Sequence, residues 1–278
     1  MKRVLLLLCC ALAGCGRSPA PAPRADVRVA VIGGMVMTGV WQQIAADFTA
    51  QTGIKLTLAA VGPKEVLDKA FRAGDVDVVT LHSSDTATNF LADGLGINMR
   101  PWARNELVIV GPHDDPAGIR GMKSGMQALL RIARCKAPFV EARNTGSQTV
   151  EIGLWRKADF TPSGAWLIKD ESPTPQRVVE FAAQRHAYVI VGRIPILFGK
   201  IPSQGMDIMV QGDPEMQRPY VVIEANPANH PSGNHEGARK LADYLTSPRG
   251  QMELQMLAAR PSNGAPIFYP VTQVTPEQ

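Results

Sequence analysis

Two short stretches of this chain combine residue types that could hold a small anion. The first is "GGMVMTG" (Gly33 to Gly39), where glycines let a ligand come close to backbone N–H groups. The second is "RNTGSQT" (Arg143 to Thr149), which sets a guanidinium beside the hydroxyls of Thr145, Ser147 and Thr149. Each stretch lies between an apolar run and a segment of helical periodicity. A helix start there would present free amides and a partial positive charge. Arg193, just past the apolar run "YVIVG", is a third donor able to grip an oxyanion edge. Gly33, Gly34, Thr38, Arg143, Thr145, Ser147 and Arg193 are therefore the candidate ligand contacts. A bland reading stays open: Ser/Thr clusters often only cap helices, and Thr145 with Gln148 has the spacing of a capping box. Arg143 could equally pair with Glu141 at the surface.

Signatures of catalysis are missing from the sequence. There is no nucleophile elbow, no phosphate-binding P-loop and no His-Glu-x-x-His pair. His82 near Asp85, and His230 near His235, have no third partner at metal spacing. Asp75 and Asp77 read as flanking a strand, and Asp114 and Asp115 as a turn. We therefore expect no catalytic residues, no metal and no cofactor. The residues assemble a binding site, not a reaction.

The elements that must position these residues alternate in type. Apolar runs at Val27 to Ile32, Ile54 to Val61 and Val76 to Leu81 read as strands. The segments "TGVWQQIAADFTAQTG" and "KEVLDKAFRAG" lie between them as helices. Further on come a strand over Asn105 to Pro112, a helix from Ile119 to Ala133, and a helix entered through Pro175. Strands "AYVIVGR", "DIMVQ" and "PYVVIEANP" follow, then two helices parted near Pro248. This order predicts an α/β fold with crossover helices. Two lobes fit it better than one long sheet, with the strands at Asn105 and Tyr220 crossing between them. Residues 27–107 and 220–278 would form lobe I, and 108–219 lobe II.

The chain of 278 residues opens with Lys2 and Arg3, an apolar run from Val4 to Ala11, and "LAGC" ending at Cys15. That run is too short to span a bilayer. It reads as a secretory signal over residues 1–14, ending in a lipobox that would place a lipid on Cys15. Residues 15–26, rich in Pro and Ala, would tether the body to a membrane. Without the leader, Cys135 would be the one cysteine besides Cys15, so no internal disulfide is expected. Net charge falls from +4 to +2 on losing Lys2 and Arg3, which argues against a nucleic-acid partner.

The stretches "TGIKLTLAAVG", "GDVDVVTLH", "ELVIVGPHDDPAGI", "GLW", "VQGDPEMQRPYVVIEANPANHP" and "YLTSPRGQ" together resemble the tungstate-binding substrate proteins of ABC importers. The resemblance implies the type II periplasmic binding fold, with ligand between two lobes that close around it. It implies tungstate or molybdate as ligand, an inner-membrane ABC permease as partner, a monomer, and a periplasmic or cell-surface location. Several pocket positions depart from the family pattern. Its Thr-Thr-Ser run is replaced by Ile32, Gly33 and Gly34, and its loop arginine by Glu141, with Arg143 two residues later. Its Thr-Asp-Arg becomes Val191, Gly192 and Arg193. Met35 and Met37 could line the cleft or pack in the core. An organic acid as ligand, or a sensor lipoprotein of the same fold, remain alternatives.

Overall fold

A computed structural model describes residues 25–258 and 266–272. The proposed leader, the lipobox at Cys15 and most of the tether lie outside the described residues. The first sheet is built from β1 (Val27–Ile32), β2 (Leu56–Gly62), β3 (Val78–His82), the first part of β4 (Gly96–Pro112) and β9 (Gln217–Ala225). Its order is β2-β1-β3-β9-β4. Both neighbours of β1 run parallel to it, whereas β9 is antiparallel to β3 and to β4. The short β10 (Tyr269–Pro270) adds to β4 from the chain's far end.

Helices α2 (Val40–Thr52), α3 (Lys64–Arg72), α4 (Asp85–Ala92), α9 (His235–Thr246) and α10 (Pro248–Ala258) accompany this sheet. The apolar face of α2, Trp41, Ile44 and Phe48, is buried as its spacing requires. Trp41 meets Trp102 edge to face at 6.5 Å, and the Trp102 indole donates to Thr80 Oγ1 at 2.8 Å. The two glycines after β1 do not end in an open loop. They begin α1 (Gly33–Met37), and Gly39 at φ 77° turns the chain into α2.

The second sheet takes the last residues of β4 together with β5 (Phe139–Glu141), β6 (Leu167–Lys169), β7 (Tyr188–Gly192) and β8 (Met206–Val210). Side chains along β4 alternate here between two buried faces. Leu107 and Ile109 join one core with α5 (Gly125–Cys135) and α6 (Thr145–Lys157). Val108 and Val110 join the other with α7 (Val178–Ala183). A strand buried on both faces reads as a continuous apolar run, which is what "ELVIV" shows. The short α8 (Arg193–Leu197) follows β7.

The hydrophobic cores part between Ala103 and Leu107 on β4, and between Met216 and Tyr220 at the start of β9. These two strands carry the chain between the lobes. β4 is longer than the predicted Asn105–Pro112. Its early half holds Pro101 and register shifts on both sides of it, with Asn98 at φ 54°. Bulges absorb the proline and break the alternation that sequence periodicity needs.

Helix α5 also starts later than the predicted Ile119. Ser124 caps it by accepting from Gln127 N, and the preceding residues form turns held by Asp115, which accepts from Ile119 N and Arg120 N. The segment entered through Pro175 makes one 3-10 turn before α7.

Candidate functional site

Strand ends and helix starts from both lobes converge on a cavity of about 340 Å³. Lobe I contributes Ile32, Gly34 and Met37 around α1, Lys64 at the start of α3, and His82 at the end of β3. The crossing strands contribute Asn105, Glu106, Arg218 and Tyr220. Lobe II contributes Asn144 to Ser147 at the start of α6, Asp170, and Gly192, Ile194 and Pro195 around α8.

Arg218 governs the electrostatics. It is largely withdrawn from solvent, and among the described residues it forms no hydrogen bond and no ion pair. Burial holds its guanidinium below the usual arginine range. It lies against Gly146, at the positive end of α6. Lys64 sits on the first turn of α3, also at a helix N-terminus. Burial, and then the charge of Arg218, lower its ammonium's affinity for a proton. A cation at a helix N-terminus opposes the helix dipole. Two such cations facing one cavity are unfavourable until an anion joins them.

Glu65 on α3 shares the lining and acts on Lys64 from a distance, whereas two other carboxylates of the wall are engaged within the protein. Glu106 is buried against Arg193, with Oε1 3.1 Å from Nη1, and accepts from Gly212 N through Oε2 at 2.7 Å. Asp170 accepts from Ser172 N at 2.9 Å and from Arg143 N at 3.2 Å.

Neutral donors complete the wall. The Tyr220 hydroxyl and the Ser147 hydroxyl have no hydrogen-bond partner among the described residues. Neither α1 nor α8 has a side-chain cap, so their first amides remain open for an acceptor. At α6 the situation differs. Asn144 Oδ1 accepts from Gly146 N at 3.0 Å and from Ser147 N at 3.4 Å. The capping box expected from Thr145 and Gln148 is not formed, because Asn144 occupies the cap and Gln148 N bonds to the Asn144 carbonyl.

Of the seven contacts expected from the sequence, Gly34, Thr145 and Ser147 line the cavity. Four are set outside its lining. Gly33 packs toward Gly62, and Thr38 donates its hydroxyl to Met35 O at 3.0 Å. Arg143 turns away from the cavity: it donates to the Ser172 carbonyl and stands 3.9 Å from Asp170, not Glu141. Arg193 is buried, neutralised by Glu106, and donates to Pro266 O at 2.7 Å. Met35 belongs to the core, whereas Met37 lines the cavity.

Arg218, Lys64, Tyr220, His82 and Asn105 were not expected as contacts. The available signal was Arg218 itself, a cation at the head of the apolar crossing strand "PYVVIEA". His230, considered for metal binding, is instead buried with Asp77, 3.1 Å from Oδ1.

Comparison with known proteins bears on this geometry. The family model for bacterial extracellular solute-binding proteins matches residues 27–255. A Haloferax volcanii protein with the provisional name of an ABC transporter anion-binding protein is 32% identical over 239 residues, covering 84% of this chain and 68% of its own. The tungstate-binding protein TupA of Peptoclostridium acidaminophilum is 27% identical over 287 residues, covering 97% of this chain and 99% of its own. Among solved structures, the tungstate-binding protein TupA of Desulfovibrio alaskensis G20 superposes with a TM-score of 0.72 at 28% identity, over 91% of this chain and all of that one.

Proposed function

The chain belongs to the bacterial extracellular solute-binding proteins, in the branch that includes the tungstate-binding proteins, and from that membership we propose that it is the receptor of an ABC importer for a small oxyanion. Tungstate or molybdate is the proposed ligand, held in the cavity between the lobes. The observation that carries this reading is the pair of cations, Arg218 and Lys64, facing one cavity with no carboxylate bonded to either.

In this reading Arg218 is the principal grip. A guanidinium can donate two parallel hydrogen bonds to an oxyanion edge. Lys64 adds a point charge from lobe I, the Ser147 and Tyr220 hydroxyls donate, and the open amides near Gly34 and Gly192 complete the shell. Because these groups come from both lobes and from a crossing strand, an anion would join the lobes and favour their closure. The receptor is proposed to act as a monomer, anchored through Cys15, and to deliver its ligand to a permease in the inner membrane.

Calorimetric titration with tungstate, molybdate, sulfate and phosphate tests this. Submicromolar binding of tungstate or molybdate is expected. No heat from any of the four, with the protein folded, would remove the oxyanion reading and favour an organic acid.

A further inference from the structure

His82 stands at the end of β3 on the cavity wall, beside the two unpaired cations. Its ring packs on that of Tyr220, with centroids 4.2 Å apart. Nε2 lies 3.3 Å from Asn105 Oδ1, and an amide oxygen only accepts, so Nε2 carries the hydrogen. The lone pair is therefore on Nδ1, which has no partner among the described residues. The groups facing the ring are Lys64 from α3, Asn105 from β4, and Tyr220 and Arg218 from β9. On its own strand end, Ser84 donates to the His82 carbonyl, and Asp85 beyond it acts on Lys64.

No carboxylate bonds to the imidazole, and the hydrogen bond to Asn105 is the smaller influence that favours its charged form. Burial, then Arg218 and Lys64, hold it neutral, well below the ordinary histidine range. A dianion beside Arg218 and Lys64 would reverse that. It would cancel the two positive charges that repel an imidazolium, and its oxygens would accept a hydrogen bond from the charged ring.

We propose that the cavity takes up its dianion together with a proton, which His82 accepts at Nδ1. The proton comes from solvent, no bond of the anion breaks, and Nδ1 becomes a further donor on the cavity wall. Release of the anion returns the proton. This inference rests on the oxyanion reading of the same cavity. It makes affinity depend on pH in a stated direction: binding strengthens as pH falls from 8 to 6, by up to about tenfold per unit where one whole proton is taken up.

The test is titration of the unmodified protein with sodium tungstate, and separately with sodium sulfate, in buffers of different ionisation enthalpy at pH 7. The slope of observed heat against buffer enthalpy counts protons, and about 0.5 to 1 taken up per anion is expected. His82→Asn should bring the slope close to zero. Glu151→Gln should leave it unchanged, since Glu151 lies one turn beyond Ser147, outside the cavity lining, and titrates in the same range. Binding with zero slope at every pH from 6 to 8 would overturn the proton coupling and leave the oxyanion reading intact. A slope lost in Glu151→Gln and kept in His82→Asn would overturn the assignment to His82. Failure to bind either anion in any buffer would instead overturn the receptor reading on which it rests.

Discussion

The guanidinium of Arg218 lies so close to Gly146 that a Cβ added there would stand 2.3 Å from Nη1. A residue on a crossing strand is thus seated against the first turn of a lobe II helix, and glycine is what leaves it room. Gly146→Ala would push the guanidinium aside. The obstructing atoms are the far end of a flexible side chain, so the fold should persist, with Tm changing by a few degrees at most. Tungstate affinity should fall roughly tenfold, about 1.4 kcal/mol, by titration calorimetry.

Removal of Arg218 separates binding from stability. Arg218→Met keeps much of the volume and deletes a half-buried cation to which no carboxylate is bonded among the described residues. Replacing buried charge by apolar atoms is often neutral or stabilising. The ligand-free Tm should therefore stay or rise, while anion affinity drops by about 100-fold or more, in line with the 2–5 kcal/mol typical for truncating a buried charged contact. A lower ligand-free Tm with unchanged affinity would make Arg218 structural.

Arg143→Ala should behave in the opposite way to Arg218→Met. Its side chain is 42% exposed and engaged with Asp170 and the Ser172 carbonyl. We expect less than about a threefold change in affinity and less than about 1 kcal/mol in stability, the latter from urea denaturation.

Arg193→Ala is expected to damage the fold. It would leave the Glu106 carboxylate buried without its partner, since both side chains are almost wholly inaccessible. Breaking such a pair costs about 3–5 kcal/mol. A Tm lower by roughly 6–15 °C is expected, measured without ligand.

Stability should also depend on pH through Glu151. Burial, reinforced by the nearby Glu141, raises its carboxyl to about 7, although the Trp155 indole N–H partly offsets this. Between about pH 4.5 and 7 the folded chain holds a proton there that the unfolded chain has lost. This contribution is present in full below the unfolded value and disappears as pH rises through 7. It is on the order of 3 kcal/mol. Glu151→Gln should flatten the decline in urea midpoint from pH 5 to 7.5. An equally steep decline in that variant would assign it to other groups.

Much of this was legible in the chain itself. The alternation of apolar runs and helical periods dictated an α/β fold, because strand and helix spacing reflect local burial. The long run at "ELVIVGP" marked a strand covered on both faces. The glycine and hydroxyl junctions near Gly34 and Ser147 pointed to helix starts, and the structure brings both onto one cavity. Helix α4 and the early half of β4 were missed: one is short, and the other is broken by bulges around Pro101.

What sequence could not decide was which arginine faces the cavity. Arg143, Arg193 and Arg218 are the same residue type, each close to a strand end, and local pattern treats them alike. Tertiary structure separates them by bringing partners from far along the chain. Glu106 comes to Arg193 and Asp170 comes to Arg143, whereas Gly146, Lys64 and His82 come to Arg218, and none of them is a carboxylate. A guanidinium matched by a buried carboxylate has little left for a ligand. One set against a helix N-terminus, with no acceptor of its own among the described residues, keeps its hydrogen bonds for the proposed anion, and that depends on contacts no local pattern contains.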